Sequence, residues 1–290
     1  MNNIGLKNLK VASVDTFTTN VGIKLRRVIN PALRQVLKLA TKRKIIVESY
    51  PNLNPKKNYI FASTHSFDED IIAGLATIKH PKYVLMGTTD QIDHNPQMYA
   101  AWLNGMIYVN RLDPESRKES VKKMERILNS GSSVLLFPEG GWNNTENLIC
   151  QKLFAGPYIL AQKTGVEVVP ISAYNAHNSN EIYINVGEPL DLSNLSKEEA
   201  KEKLRDELAT MMYLSMEKHA PRVRRKDLSE NARLEYMEER KNEYLRVKWT
   251  RDVWDEELTV YSDNEVPLIL KDPLEKKYDF KEYMHKNWNK

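Results

Sequence analysis

Short apolar runs alternate with amphipathic stretches through the middle of the chain. The runs are rich in β-branched and aromatic residues, which favours buried strands. They are KIIVES 44–49, NYIFAST 58–64, YVLM 83–86, MIYV 106–109, SVLLF 133–137, EVVPISA 167–173 and EIYINV 181–186. Helical periodicity falls between them, at 68–78, 98–103, 114–129 and 156–164. This alternation predicts an α/β fold with a mixed, mainly parallel central sheet flanked by helices.

The character of the chain changes after the last predicted strand. Ser196 and Glu199 form a capping box, which begins a helix that we expect to run to about Lys218. Beyond that helix the chain is densely charged and dotted with Trp and Tyr. We therefore expect one domain over residues 44–195 and a helical, charged extension over residues 196–290 that packs on it.

A basic segment, residues 1–43, precedes this domain. No acidic residue lies between Thr16 and Val47, whereas eight basic ones do: Lys24, Arg26, Arg27, Arg34, Lys38, Lys42, Arg43 and Lys44. Apolar positions recur at helical spacing in two pieces, Val21, Leu25, Val28 and Ile29 before Pro31 and Leu33, Val36, Leu37 and Ala40 after it. Because proline suits a helix start, we expect two helical pieces. They either lie in the headgroup plane of an anionic bilayer or pack on the core with a solvated basic face.

Composition excludes several classes of protein. The chain has 290 residues, 41% apolar and 28% charged, with a net charge of +4, which is ordinary for a globular protein. No run approaches the ~20 apolar residues that cross a bilayer. The first residues also lack the apolar core of a secretory signal, so we expect a cytoplasmic protein. No aromatic side chain is interleaved with the basic residues between Lys24 and Lys44 to stack on bases, which argues against nucleic-acid binding.

Cysteine and histidine usage points away from thiol and metal chemistry. The lone Cys150 follows Leu-Ile and is expected to be a small buried hydrophobe, in a chain that forms no internal disulfide. The histidines other than His65 are scattered, without the spacing of metal ligands. We therefore expect no metal.

His65 is the first candidate for chemistry. It follows a predicted buried strand and precedes a predicted helix, and Asp70 comes five residues later. The ends of strands are where open α/β sheets place reacting groups. A carboxylate at this spacing can reach the imidazole across the first helical turn, fix its tautomer and stabilise its charged form. That pair is equipped to deprotonate a hydroxyl that attacks a carbonyl.

Two further clusters also follow predicted strands. Gly105-Met-Ile-Tyr-Val-Asn-Arg111 ends in an arginine, whose planar fork of donors suits phosphate, although a surface arginine is the simpler interpretation. Phe137-Pro138-Glu139-Gly140 follows a buried strand, and its glycine allows close approach to a ligand. Glu139 is placed to bind substrate hydroxyls or to anchor Arg111, or it is a solvated turn residue.

A last cluster, Val169-Pro170-Ile171, carries a proline in the middle of a predicted strand. Proline cannot donate to the ladder, so this position indicates a bend or a close approach to a pocket.

Together these residues resemble the glycerophospholipid acyltransferase family, which includes the 1-acylglycerol-3-phosphate acyltransferases. The family pattern is H-x4-D, then G-x-I-x-x-x-R, then F-P-E-G, then a V-P-I strand, and this chain has each block in that order. The resemblance covers roughly residues 45–190. It implies transfer of a fatty acyl group from acyl-CoA or acyl-carrier protein to the free hydroxyl of a lysophospholipid, without metal or cofactor.

The resemblance also implies residue roles. His65 resembles the general base and Asp70 the group that orients it. Arg111 resembles the phosphate-binding arginine. The block from Phe137 to Gly140, with Gly105, resembles the acceptor-binding part, and Pro170 the last block near the acyl pocket.

One departure concerns the acceptor headgroup. The family often continues F-P-E-G with Thr and then Arg or Ser, whereas Gly141, Trp142 and Asn143 follow here. We expect Asn143, Asn144 or Lys152 to replace the missing cation, with lysophosphatidic acid or another lysolipid as acceptor.

A lipid substrate favours the membrane interpretation of residues 1–43. We expect peripheral attachment to the inner face of an anionic membrane. Two alternatives remain open: an acyl-thioester hydrolase that uses the same pair on water, and a lipid-binding protein without catalysis. The absence of a G-x-S-x-G elbow argues against a serine hydrolase.

Overall fold

The computed structural model describes residues 15–87, 96–110, 113–143, 148–176 and 179–232, together with 234–236, 238–239 and 242. Its strands are β1 Lys44–Ser49, β2 Ile60–Ser63, β3 Lys82–Met86, β4 Met106–Tyr108, β5 Ser133–Leu136, β6 Val168–Tyr174 and β7 Glu181–Val186. Its helices are α1 Asn20–Ala40, α2 Asp70–Thr77, α3 Pro96–Asn104, α4 Pro114–Asn129, α5 Gly156–Thr164 and α6 Lys197–His219, and a 3-10 turn follows at Arg225–Asp227.

The strands form one sheet in the order β1-β7-β6-β2-β5-β3-β4. Every neighbouring pair is parallel except β6 and β7, which are antiparallel. The carboxyl ends of β6, β2, β5, β3 and β4 therefore share one edge of the sheet. This mixed, mainly parallel arrangement confirms the predicted fold class.

Successive residues of the central strands point to opposite faces, and each face has its own core. Phe61 of β2 packs on the face that α2 and α3 cover, whereas Ile60 and Ala62 pack on the face that α4, α5 and α6 cover. Helix α6 contributes Ala200, Leu204, Leu208 and Ala209 to the second core. The part of the extension from Lys197 to His219 thus packs on the sheet. Residues 243–290 of the predicted extension lie outside the described part.

Helix α1 corrects the two-piece prediction for the basic segment. It runs unbroken from Asn20 to Ala40 with Pro31 inside. Proline removes one helical hydrogen bond, but side chains on both sides of it tie the helix to the domain. Asn30 donates to the carbonyl of Lys79 at 3.0 Å, and Arg34 donates to that of Ala76 at 3.4 Å.

Several apolar side chains of α1 are exposed while one of its arginines is buried, which is the opposite of what a helix packed by its apolar face would show. Val21, Leu25, Val28 and Leu39 are 79, 59, 78 and 86% exposed, whereas Arg26 is buried with Ile23 and Leu37. Spacings of three, four and eleven residues place the exposed side chains on one side of the helix. The row of Val21, Leu25, Val28 and Leu39 therefore faces away from the domain, whereas Leu37 and Ala40 pack on the core.

None of the helices in the described part of the chain is both long enough and apolar enough to cross a membrane.

Candidate active site

His65 lies just beyond the carboxyl end of β2 and is 4% exposed. The strand is held there on one side, because Thr64 donates its amide to Ile171 of β6 at 3.0 Å and its hydroxyl oxygen accepts the amide of Ala173. The chain then turns into α2, which begins at Asp70. The local pattern of a buried strand followed by a short turn thus places His65 at the edge of the sheet.

Asp70 holds the imidazole from the first turn of α2. Both carboxylate oxygens lie 3.0 Å from Nδ1 of His65. The same carboxylate accepts the amides of Ser66 at 2.7 Å and Phe67 at 3.1 Å, and Asp70 is fully buried. With Nδ1 engaged as a donor, Nε2 is the ring nitrogen left to accept a proton from a substrate. The predicted pair is therefore assembled.

Two aromatic rings contact the imidazole. The centroid of Phe137 lies 4.6 Å from that of His65 with the planes inclined by 40°, and Trp142 meets the ring edge-on at 6.2 Å and 76°. Both belong to the segment 137–143, which we call the FPEGGWN loop. These rings limit the rotation of His65 and exclude water from its sides.

The FPEGGWN loop also binds the backbone of His65. Glu139 Oε1 accepts the amide of His65 at 3.1 Å, and the amide of Asn143 donates to the carbonyl of His65 at 2.7 Å. Glu139 is 4% exposed, and burial raises its pKa to about 7, partly offset by hydrogen bonds from the amides of Gln151 and His65. The solvated-turn interpretation of Glu139 is therefore wrong.

Gly140 allows the loop to turn tightly. Its φ is +78°, its amide donates to the carbonyl of Phe137 at 2.9 Å, and a Cβ at this position would lie 2.3 Å from the ring of Phe154. Phe154 in turn donates its amide to Pro138 at 2.7 Å. The positive φ favours glycine, and a larger residue would also have to displace the exposed ring of Phe154.

A cavity of about 200 Å³ lies beside this loop. It is lined by Glu139, Gln151, Lys152, Leu153, Phe154 and Lys201. Lys152 is exposed and lines this cavity together with Glu139, so the predicted substitute cation lies near the loop.

The structure places the other sequence-predicted residues differently. Gly105 directly precedes β4, at the edge of the sheet opposite His65, where a Cβ would lie 2.8 Å from the carbonyl of Lys82. The geometry thus gives Gly105 a backbone role and does not bring it to the site. Arg111 lies outside the described residues, as does Asn144.

Pro170 lies within β6, opposite Ala62 of β2. Val168 pairs with Leu190, and Ile171 pairs with Val186 of β7. The two pairs are three residues apart along β6 but four residues apart along the opposite segment, which is an extra residue in the register. The proline therefore lies at an irregularity of the antiparallel pairing, where its missing N–H costs no regular ladder bond. The sequence predicted a bend or a close approach to a pocket at this proline, and the structure shows an irregular register there.

Two residues of the site region were not anticipated. Gln151 donates its amide to Glu139 Oε2 at 2.9 Å and its side chain to the carbonyl of Trp142 at 2.9 Å. Arg205 of α6, 7% exposed, donates to the carbonyl of Cys150 at 3.0 and 3.2 Å. In the sequence, the one sign of this role is that Arg205 directly follows Leu204, an apolar position on the face of the helix that packs on the core.

Comparison with known proteins identifies the domain. Residues 44–174 match the sequence model of the Acyltransferase family. These residues include β1 through β6, the His65–Asp70 pair and the FPEGGWN loop. Residues 44–174 are an acyltransferase-family domain. The family resemblance inferred from the sequence is thereby confirmed.

Relatives of the acyltransferase domain share one description. The chain is 26% identical over 166 residues to a 1-acyl-sn-glycerol-3-phosphate acyltransferase of Borreliella burgdorferi, covering 54% of this chain and 65% of that protein. It is 36% identical over 74 residues to the chloroplastic enzyme LPAT1 of Arabidopsis thaliana, covering 26% of this chain and 20% of that protein. The chain thus spans less than two thirds of these curated relatives.

A solved structure shares the fold. It is the crystal structure of the 1-acyl-sn-glycerophosphate (LPA) acyltransferase PlsC from Thermotoga maritima, with a TM-score of 0.53 and 17% identity. The superposition covers 66% of this chain and 81% of that one.

Proposed function

We propose that this chain is an O-acyltransferase that moves a fatty acyl group from a thioester to the free hydroxyl of 1-acylglycerol-3-phosphate, in phospholipid synthesis. The observation that carries the proposal is the buried contact of both Asp70 oxygens with Nδ1 of His65, 3.0 Å each, at the carboxyl edge of the sheet. The acyltransferase relatives, each named for 1-acyl-sn-glycerol-3-phosphate, support the substrate class.

The His65–Asp70 geometry suits a direct transfer. Nε2 of His65 takes the proton of the acceptor hydroxyl while its oxygen attacks the thioester carbonyl carbon. The carboxylate of Asp70 stabilises the imidazolium that forms. The tetrahedral intermediate then breaks its C–S bond, and the proton on Nε2 passes to the departing thiolate. The products are an oxygen ester and a free thiol, from acyl-CoA or acyl-carrier protein.

The acceptor's phosphate needs cationic partners. We assign this role to Arg111, on its match to the family block, and to Lys152, which lines the cavity beside Glu139. Arginine would bind the phosphate in a bidentate manner, whereas lysine would supply a point charge.

We also propose that the chain attaches peripherally to the inner face of an anionic membrane through α1. The outward row of Val21, Leu25, Val28 and Leu39 runs along this helix of 21 residues, and Lys24 and Lys38 are exposed beside it. Apolar side chains flanked by lysines are the features that insert at the boundary of headgroups and acyl chains. An enzyme attached in this way would meet its lysophospholipid at the surface where that lipid resides.

A direct assay tests the catalytic proposal. The wild-type chain is supplied with lysophosphatidic acid and acyl-CoA, and both free thiol and esterified lipid are measured. His65→Ala should lower the rate by ~10² to 10⁴ while the protein stays folded. His219→Ala is the matched control, since His219 pairs with Glu48 of the edge strand β1 at 2.8 Å.

Three results would contradict the proposal in distinct ways. Thiol release without an acceptor would identify an acyl-thioester hydrolase. Lipid binding without turnover on acyl-CoA or acyl-carrier protein would identify a lipid-binding protein. Near-full activity of His65→Ala would remove this residue from the mechanism. For an active transferase, mass spectrometry of the products formed from mixed lysophospholipids would identify the headgroup of the acceptor.

A further inference from the structure

The protein holds His65 by hydrogen bonds to its backbone as well as to its imidazole ring. Glu139 Oε1 accepts the amide N–H of His65 at 3.1 Å, and the amide of Asn143 donates to the carbonyl of His65 at 2.7 Å. Both of these partners belong to the FPEGGWN loop. The position of the imidazole at the end of β2 is therefore fixed by a segment that follows β5.

The second oxygen of Glu139 is also engaged. Oε2 accepts the amide of Gln151 at 2.9 Å, and the side chain of Gln151 donates to the carbonyl of Trp142 at 2.9 Å and to Oδ1 of Asn143 at 3.4 Å. Gln151 thus links back to the same loop that holds His65. The carboxylate joins two chain segments through one oxygen each.

The free-energy cost of burying the Glu139 carboxylate indicates that this side chain does more than fill space. Burying a carboxylate is expensive unless hydrogen bonds compensate, and Glu139 is 4% exposed. Burial is the main cause of its raised pKa, and the nearby charge of Asp70 raises that pKa further, whereas the amides of Gln151 and His65 and the charge of Arg205 lower it. Arg205 lies in α6, beyond the segment that matches the family. This helix therefore supplies a positive charge that favours the ionised form of the buried carboxylate.

We propose that Glu139 is a positioning residue for His65, acting through the backbone amide of His65, and not a ligand of the acceptor headgroup. The proposal rests on the proposed transferase function of the His65–Asp70 pair. It departs from the acceptor-binding role that the family resemblance implies for the block Phe137 to Gly140. Each oxygen of Glu139 accepts a protein N–H, so the whole carboxylate takes part in orienting the base. A carboxylate would also repel the like charge of the acceptor's phosphate.

Glu139→Gln separates the two roles. A glutamine keeps the shape but has one acceptor oxygen, and its NH₂ group cannot accept from the second amide. One of the two segments is then released, which displaces His65. A displacement of about 1 Å in a catalytic group can cost about 10²-fold in rate, so we expect kcat to fall by about that factor. The KM for lysophosphatidic acid should stay within about threefold of the wild-type value.

Two controls accompany Glu139→Gln, a matched surface variant and a direct reading of the His65 imidazole. Glu167→Gln, at a surface glutamate that pairs with Lys57 at 3.2 Å, should keep wild-type kcat and KM. The ¹⁵N signals of the His65 imidazole, assigned by their loss in His65→Ala, should shift in Glu139→Gln and not in Glu167→Gln. If Glu139→Gln does not fold, Glu139→Asp, which is one methylene shorter and reaches one amide, replaces it in the same assay.

A tenfold or larger rise in the KM for lysophosphatidic acid would overturn the proposal, whether or not kcat falls, because it would show that Glu139 binds the acceptor. Unchanged kcat with unchanged imidazole signals would overturn it as well. A wild-type chain that makes no esterified lipid would instead contradict the proposed transferase function, so the two failures are distinguishable.

Discussion

Asp70 places both carboxylate oxygens 3.0 Å from Nδ1 of His65 while it also accepts the amides of Ser66 and Phe67. One carboxylate therefore fixes both the ring and the turn that carries it. No neutral side chain of the same shape can do both, because every partner of this carboxylate is a donor.

Asp70→Asn should thus lower kcat by roughly 10²-fold or more, since the amide NH₂ must face either the ring nitrogen or a backbone amide. The imidazolium would also lose its counter-charge. Initial rates at saturating acyl-CoA and lysophosphatidic acid measure the effect. Wild-type rates in a folded Asp70→Asn protein would show that Asp70 does not support the base.

Gly105 offers a test of a residue that the sequence assigned to the site. Its φ is +116°, and a Cβ would lie 2.8 Å from the carbonyl of Lys82. Gly105→Ala should destabilise the fold by roughly 1–3 kcal/mol, through backbone strain and the clash, and should leave the acceptor KM unchanged. Urea unfolding and initial rates measure the two effects.

Gly165→Ala is the matched control for Gly105→Ala. Gly165 also has a positive φ, +66°, but a Cβ there meets nothing within 4 Å. It should therefore cost less than Gly105→Ala. A Gly105→Ala protein of normal stability with a raised acceptor KM would return Gly105 to the binding site.

The sequence predicted the elements of this fold because its apolar runs are short, regular and separated by helical periodicity. It predicted the His65–Asp70 contact because both residues lie within one turn of the chain. It could not predict the grip of the FPEGGWN loop on His65, since that depends on β2 and β5 being neighbours in the sheet. Periodicity alone left the direction of the apolar face of α1 open between the membrane and the core, because it defines a face without saying what covers it.

Arg111 carries a prediction about the acceptor. If it binds the phosphate, Arg111→Ala should raise the KM for lysophosphatidic acid about tenfold or more, since a charged hydrogen bond is worth about 1.5–3 kcal/mol. The KM for acyl-CoA should change little. Arg224→Ala is the control, because Arg224 is exposed and pairs with Asp227 at 2.7 Å. An unchanged acceptor KM in Arg111→Ala would contradict its proposed role.

The exposed row of α1 predicts membrane binding that depends on both apolar area and charge. The triple variant Leu25→Ser, Val28→Ser, Leu39→Ser should lower affinity for anionic vesicles about tenfold or more, because each buried CH₂ contributes ~0.8 kcal/mol. Added salt should weaken wild-type binding, since each cation near the surface contributes ~1 kcal/mol. Sedimentation with vesicles of phosphatidylglycerol and phosphatidylcholine measures both effects.

The control for α1 is Leu228→Ser, an apolar side chain that is 49% exposed beyond α6. It should leave vesicle binding unchanged. Sedimentation of the triple variant at the wild-type level, with the same salt dependence, would show that another surface contacts the lipid.

Glu139 predicts a pH dependence of stability as well as a catalytic effect. Its pKa rises from 4.5 to about 7 in the folded chain, with burial as the main cause. Below pH 4.5 the carboxyl is neutral in both states, so burial carries no ionic cost there. Between pH 4.5 and about 7 the unfolded chain ionises first, so stability falls as pH rises, and above about 7 the loss is constant.

A raised pKa of this size corresponds to a fall of about 3 kcal/mol in the free energy of unfolding of the wild-type chain as pH rises. Glu139→Gln, which cannot ionise, should not show this fall. The variant should itself be less stable at low pH by about 1–3 kcal/mol, because one buried amide loses its acceptor. Its deficit relative to wild type should therefore shrink or reverse as pH rises from 5 to 8. Urea unfolding of both proteins at pH 5, 6, 7 and 8 measures this difference, and parallel curves would show that Glu139 ionises as freely in the folded chain as in the unfolded one.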